Sequence, residues 1–224
     1  MKKFILVFLL LFSQVIFSQP LRQDAWLWMT ASVDKKITKR WSVGFDEELR
    51  LFDNISRVNL FFSNIGVNYR IKSFKFSLVY RLVNKNQDDQ YYSKRHRLYV
   101  DAAYKYKLNL WTFNYRLRAQ GQVRDYYSSD DGKYIESYLR HKFEIDYDFN
   151  KFTPYVAAEF RFQLNNPSFK EANDLWNRMR FYLGCNYEFN KVHSMGIYYM
   201  VQHDFNNKRL ENDFTIGIQY GLSL

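Results

Sequence analysis

The sequence predicts an all-β fold in which an antiparallel sheet closes into a transmembrane β-barrel. Apolar and polar side chains alternate along most of the chain, which is typical of strands with two different faces. The alternating stretches are about 10 to 14 residues long, whereas strands of soluble proteins usually have about 5–6 residues. Aromatic residues make up 20% of the 224 residues, with 19 Tyr and 21 Phe, and membrane barrels place such residues at the membrane interfaces.

The first 18 residues are predicted to be a secretory signal peptide. Lys2 and Lys3 form a cationic start, residues 4–12 are apolar, and Ser18 is a small residue at a suitable cleavage position. The apolar run is too short for a spanning helix, which needs about 20 residues. An exported chain that forms a barrel is expected in the outer membrane of a Gram-negative bacterium.

The chain is basic, with a net charge of +10 that falls to about +8 when Lys2 and Lys3 leave with the signal peptide. A basic protein can bind nucleic acid, but export argues against this partner, and the basic residues are spread along the chain. Cys185 is the only cysteine, so no intramolecular disulfide is possible. Roughly 205 mature residues without a linker indicate a single domain.

The barrel is predicted to span residues 40–224 with ten strands. Along residues 111–123, for example, Trp111 and Leu117 lie on an apolar face, whereas Arg116 lies on a hydrophilic face. The same alternation recurs at nine other stretches of this region. Twelve strands, including one that the pattern does not reveal, are the alternative, because single-chain bacterial barrels have even strand numbers.

Residues 19–39 are predicted to be an N-terminal segment outside the barrel. Residues 25–33 alternate as strands do, but an eleventh strand would break the even number. We therefore expect this stretch to be a periplasmic or lumenal appendage.

The connections between strands are predicted to be short at one end of the barrel and long at the other. Long polar loops are expected outside the cell. They fall at residues 84–93, 125–134, 165–175 and 205–212. The alternation changes phase near Ser63, which suggests a β-bulge there.

The apolar face is predicted to point outward, toward lipid. Aromatic residues favour the strand ends, as they do in the interfacial girdles of membrane barrels. These residues are Trp41, Tyr69, Phe74, Trp111, Phe149, Phe152, Trp176 and Phe189. The expected partners are outer-membrane lipid, lipopolysaccharide and the barrel-assembly machinery, with no nucleic acid. The oligomeric state stays open.

Four short motifs resemble domain-of-unknown-function family 2490, a group of outer-membrane β-barrel proteins common in Bacteroidota. They are Trp26-Leu-Trp28, Glu47-Glu-Leu-Arg50-Leu-Phe52, Tyr80-Arg81 and Glu159-Phe-Arg161-Phe162. The resemblance spans essentially the mature chain. It implies a barrel in the outer membrane and implies no known activity.

The hydrophilic face is predicted to line the lumen and carries charges of both signs. The residues that share this phase are Asp46, Glu48, Arg50, Arg81, Arg97, Asp101, Arg116, Arg118, Arg140, Glu144, Glu159, Arg161, Arg178, Arg180 and Glu188. Buried charges persist when they are paired, so a network that fills the lumen of a structural or surface-binding barrel is expected. Arginine outnumbers carboxylate on this face, so a narrow, porin-like pore that prefers anions is an alternative.

A hydrolase with a site at the extracellular rim is a further alternative. His96 is predicted near that rim, after Asp88 and Asp89, and histidine with carboxylates can activate water. The sequence contains no recognisable nucleophile motif, phosphate-binding loop or metal-ligand spacing. No catalytic residue and no cofactor or metal site is therefore assigned.

Overall fold

The computed structural model describes residues 22–88, 91–124, 135–164, 176–205 and 211–224, and these residues form eleven strands. The strands are β1 Arg22–Lys36, β2 Trp41–Phe52, β3 Arg57–Ile71, β4 Phe74–Asp88, β5 Tyr91–Leu108, β6 Trp111–Arg124, β7 Glu136–Tyr147, β8 Phe152–Gln163, β9 Trp176–Glu188, β10 His193–Asp204 and β11 Glu211–Ser223. No helix among the described residues is long and apolar enough to span a membrane.

The eleven strands close into a barrel in which each strand pairs with its sequence neighbours. All of these pairs are antiparallel except the closing pair, in which β1 runs parallel to β11 from Arg22↔Glu211 to Asp34↔Ser223. An odd number of strands requires one such parallel pair, because successive strands reverse direction.

The prediction of ten strands was therefore wrong, as was the alternative of twelve. Residues 22–36 are not an appendage: β1 lies in the barrel wall between β2 and β11. Without β1, the facing edges of β2 and β11 would each present unpaired backbone N–H and C=O groups, which is costly away from water. Residues 1–18, the predicted signal peptide, lie outside the described residues.

The two ends of the barrel differ in their connections. At one end, called the short-turn end, the connections are residues 37–40, 72–73, 109–110, 148–151 and 189–192. At the other, called the long-loop end, they are residues 53–56, 89–90, 125–135, 164–175 and 205–210. Because the strand count is odd, β1 begins at the long-loop end and β11 ends at the short-turn end.

The expected long loops fall partly outside the described residues, which omit 125–134, 165–175 and 206–210. The expected loop at residues 84–93 is mostly strand, since β4 continues to Asp88 and β5 starts at Tyr91. Long strands that extend past the span needed for a membrane account for this difference.

A register shift interrupts the pairing of β2 with β3, but it does not lie at Ser63 as predicted. Arg50 pairs with Leu60 and Leu51 pairs with Val58, so Asn59 is the extra residue of a bulge. The bulge lies near the long-loop end, where bulges commonly redirect strands at a barrel rim.

The alternation sorts the side chains into an apolar outer face and a polar lumen. Leu78, Leu98 and Leu183 point outward and are 53%, 54% and 63% exposed. Side chains of the opposite phase point inward, among them Arg81 and Glu159, which are buried. This is the reverse of a soluble barrel, whose apolar side chains fill the interior.

Aromatic rings form cross-strand pairs on the outer face near the short-turn end. The pairs are Trp41 with Tyr69, Phe74 with Tyr104, Trp111 with Tyr147 and Phe152 with Tyr187, with ring centroids 4.7 to 4.9 Å apart. Trp176 belongs to a second group at the long-loop end, with Phe160 and Phe162. Rings at both ends of an apolar outer face form the girdle pattern that the sequence suggested.

Candidate functional site

Large side chains fill the middle of the lumen. Trp28, Tyr155, Tyr198 and Met200 belong to one buried cluster contributed by β1, β8 and β10. Phe62 of β3 is also buried, at 1% exposure. Residues that point into the lumen from several sides and are this buried leave little space between them, so the lumen is filled at this level.

Glycines in the barrel wall make room for two of these rings. A Cβ atom at Gly184 would lie 2.5 Å from the ring of Tyr155, and one at Gly217 would overlap the ring of Tyr198. The rings therefore lie flat against the neighbouring strand, where only glycine permits such close approach.

A single buried carboxylate organises the charges of this filled layer. Glu159, 2% exposed, accepts from Arg116 at 2.7 Å through Oε2 and from Arg140 and Arg180 through Oε1. Arg180 also donates to Gln202 at 2.8 Å. Three cations from three other strands thus converge on one acid, which ties β6, β7 and β9 to β8.

Further ion pairs extend the network around the wall. Arg118 binds Asp101 through two hydrogen bonds of 2.7 Å each, and its guanidinium lies 3.8 Å from the ring centroid of Tyr99. Arg50 contacts Glu48 at 2.5 Å and lies 3.5 Å from the centroid of Trp28. Bidentate and stacked arginines are held in one orientation, which suits a structural network.

A cavity of about 500 Å³ occupies the lumen between this filled layer and the long-loop end. Ten of its lining residues are basic: Arg50, Arg81, Lys85, Arg95, Arg97, Arg124, Arg140, Arg161, Arg178 and Arg180. Only Glu136, Asp204 and Asp213 are acidic. The cavity therefore carries a large excess of positive charge, which favours anions.

Several of these cations have no carboxylate partner among the described residues. Arg81 donates to Asn64 at 2.6 Å, and Arg97 donates to Gln122 at 3.1 Å, so both bind neutral amides. Lys85 and Arg95 make no ion pair with a described residue. Arg178, in contrast, is bound to Asp204 by two hydrogen bonds.

The buried polar atoms of the cavity wall that lack a partner are all donors. They are Nε1 of Trp26 and Trp28 and Nε of Arg95 and Arg140, and none has an acceptor among the described residues. These four atoms are closed off from the cavity as well as from water, so its preference for anions rests on the charge of its wall and not on these donors.

The structure places fourteen of the fifteen predicted lumen charges in contact with another described side chain. Asp46 accepts from Asn64, Glu144 pairs with Lys142 at 2.5 Å, and Arg161 donates to Asn177 at 2.8 Å. Glu188 is the exception: it is exposed at the short-turn end of β9, and its carboxylate binds no described side chain. The cavity brings seven of the fifteen together beyond the filled layer or at its border: Arg50, Arg81, Arg97, Arg140, Arg161, Arg178 and Arg180.

Sequence reasoning missed several residues of this site. Asp204 and Gln202 lie on β10 and line the cavity. They occupy the same alternate positions of the strand as the inward-facing Tyr198 and Met200, so the period-2 pattern could have identified them. Trp26 and Trp28 were overlooked as lumen residues because their segment was placed outside the barrel. Lys85 was assigned to a loop, although it lies on β4, and Arg95 of β5 was not included among the lumen charges.

The histidines lie apart from the cavity. Nδ1 of His96 is 2.6 Å from the hydroxyl of Tyr80 on the outer face, and His141 contacts Tyr115 in the same way at 2.8 Å. No group of three or more potential metal ligands occurs among the described residues. Among the described residues, the partner of His96, the histidine of the hydrolase alternative, is thus the hydroxyl of Tyr80.

The fold and this site together define a closed all-β barrel with a charged, partly filled lumen. The chain belongs to the family described as "Protein of unknown function (DUF2490)", whose model matches residues 26–214. This match confirms the family that the four motifs suggested. No curated protein matches the sequence.

Two solved structures are similar in outline. One, described as "Unveiling the Mechanism Behind the in-meso Crystallization of Membrane Proteins", is 14% identical over 85% of this chain and 79% of that chain, with a TM-score of 0.40. The other is the translocator domain of autotransporter NalP from Neisseria meningitidis, 11% identical over 79% of this chain and 72% of that chain, with a TM-score of 0.37. At TM-scores this low, neither similarity supports a statement about function.

Proposed function

We propose that the protein is an outer-membrane barrel that binds an anionic solute in the cavity of the long-loop half of its lumen. The observation that carries this proposal is the cavity wall, which has ten basic and three acidic residues and in which Arg81 and Arg97 bind neutral amides rather than carboxylates. Phosphate and carboxylate groups offer the acceptor oxygens and the charge that this wall would complement.

The membrane location is supported by the outer face. Apolar side chains cover the outside of the strands, and soluble proteins rarely expose a continuous apolar surface of this extent. Each strand has at least 12 residues, which exceeds the roughly 9–11 residues of a tilted span. A mature protein that fractionated as a soluble periplasmic monomer would contradict this part of the proposal.

Anion binding can be tested with the mature chain refolded in detergent. Isothermal titration calorimetry with inorganic pyrophosphate and with citrate is expected to give saturable binding to the wild type. Arg97→Gln is expected to weaken binding roughly 10-fold, because hydrogen bonds to charged groups contribute about 1.5–3 kcal/mol. Lys151→Gln, which removes an exposed lysine at the opposite end, is the matched control.

The proposal fails if neither probe binds, or if Arg97→Gln and Lys151→Gln bind both probes as the wild type does. A loss of binding in both variants would also contradict it, because the effect would then follow net charge rather than the cavity.

An anion-preferring pore is the second candidate, supported by the excess of arginine along the lumen. The buried layer around Glu159 and Tyr198 opposes it, because these side chains occupy the conduction path. We expect no steady openings from the inserted wild-type barrel in a planar bilayer. Steady anion-selective openings would replace the binding proposal with the pore.

A further inference from the structure

A second basic cavity, of about 580 Å³, lies at the short-turn end, on the opposite side of the barrel's filled layer from the first. Its wall includes five cations and no acidic residue: Arg70, Lys72, Lys75, Lys105 and Lys107. Three aromatic residues, Phe74, Tyr104 and Tyr106, complete the wall with Asn114, Ser73 and Ala103.

The backbone around these cations is held in place by a tight turn and by a hydrogen bond from that turn to β5. Lys72 occupies a two-residue turn with a φ of 51°, and the N–H of Lys105 donates to the carbonyl of Ser73 at 2.9 Å. This bond holds the β3–β4 turn, and with it the backbone of Lys72, against Lys105 of β5. Charges on a fixed backbone bind an anion with a smaller loss of entropy.

Nearby carboxylates neutralise only part of this charge. Lys107 pairs with Asp148 at 3.0 Å. Asp34, in the adjoining cavity that shares Arg70 and Lys75, accepts from Ser42 and Asn68 at 3.3 Å each. Asp146 accepts from Asn114 of the cavity wall at 2.5 Å, so three nearby carboxylates oppose five cations and the cavity keeps a positive excess.

The aromatic wall argues for a ligand with both a charged and an apolar part. Phe74 and Tyr106 are 46% and 50% exposed on the outer face, and their neighbours Phe76 and Leu78 continue this apolar surface along β4. Alternation turns Lys75, Lys105 and Lys107 toward the lumen and the aromatic rings outward, so the two groups meet at the rim of the barrel. A lipid phosphate at this rim would lie against the cations, with its acyl chains along the apolar strands.

We propose that this cavity binds the phosphate-bearing headgroup of an anionic phospholipid in the leaflet at the short-turn end. The inference rests on the proposed membrane location but not on anion binding in the first cavity. Free phosphate shares the charge of the headgroup but would gain nothing from the adjoining apolar face.

The test uses the mature chain in nanodiscs of phosphatidylcholine that contain phosphatidylglycerol. Insertion is measured first, by protection of the strands from trypsin. The lipids that the released protein retains are then counted by native mass spectrometry. The wild type is expected to retain phosphatidylglycerol in preference to phosphatidylcholine, and Lys72→Gln with Lys105→Gln is expected to lower this preference at least about threefold.

The matched control is Lys151→Gln with Lys191→Gln, which also removes two exposed lysines from short turns but outside this cavity. The control pair is expected to keep the preference of the wild type. An equal effect of both pairs, or no effect of the first, would overturn the inference. So would loss of the preference on adding inorganic phosphate at constant ionic strength.

A chain that fails to insert would overturn the membrane location itself, and with it this inference. An inserted wild type without lipid preference would overturn the headgroup site alone. The insertion assay therefore separates the two failures.

Discussion

The filled middle of the lumen and the cavity beside it are lined by the same residue type but use it differently. In the middle, Arg116, Arg140 and Arg180 share the carboxylate of Glu159. In the cavity, Arg81 and Arg97 bind only neutral amide oxygens. Arginine is thus part of the framework where an acid opposes it, and is available to a ligand where none does.

The physical basis of this difference is the cost of isolating a charge from water. Removing one partner of a buried ion pair leaves the other uncompensated, which typically costs about 3–5 kcal/mol. A cation that lines the cavity is also partly removed from water, but no carboxylate loses its partner when that cation is replaced. Removing a charge should therefore destabilise the barrel strongly in the filled middle of the lumen and only slightly in the cavity.

The largest effect is expected from Glu159→Gln. The amide keeps the shape of the side chain but removes the charge that three arginines share, so the free energy of unfolding should fall by about 3–5 kcal/mol. Urea unfolding of the refolded barrel, followed by tryptophan fluorescence, measures this. Glu188→Gln, at an exposed strand end, serves as the control and should stay within about 0.5 kcal/mol of the wild type.

The next effect is expected from Gly217→Ala, which probes the rings of the filled layer. A methyl group there would overlap the buried ring of Tyr198, and such overpacking typically costs about 1–3 kcal/mol. Gly44→Ala is the matched change, because its new Cβ would lie no closer than 3.5 Å to any neighbour. Equal unfolding midpoints for the two variants would refute the close packing of Tyr198.

Arg118→Lys tests whether geometry as well as charge matters in the filled layer. Lysine keeps the charge but loses the bidentate bond to Asp101 and the stacking on Tyr99, so a loss of about 1–2 kcal/mol is expected. Arg97→Lys, which loses only bonds to Gln122, should change the same urea midpoint less. A larger loss of stability in Arg97→Lys than in Arg118→Lys would mean that the cavity arginines stabilise the barrel as much as those of the filled layer do.

The smallest effect on stability is expected from Arg97→Gln. Because Arg97 has no carboxylate partner among the described residues, its removal should change the free energy of unfolding by no more than about 0.5 kcal/mol. The same variant is expected to weaken pyrophosphate binding, as proposed above. Destabilisation comparable to that of Glu159→Gln would instead make Arg97 part of the framework.

Particular residues show how far the sequence could predict this site. The inward direction of Arg81, Arg118 and Glu159 follows from alternation alone, because successive side chains of a strand point to opposite faces. The sequence did not reveal which side chain each of them contacts. Arg116 and Glu159, for example, lie 43 residues apart and meet only because β6, β7 and β8 pair in a particular register. Trp28 was misplaced with its whole strand, since an even strand number was assumed.

By itself, the sequence determined the class of fold, the outward apolar face and the polar lumen, because side-chain direction along a strand is a local property of the backbone. Only the tertiary structure decided that eleven strands close through a parallel pair and which arginines meet an acid. Both depend on which edges and which inward side chains are brought together when the sheet closes, and no local pattern specifies that.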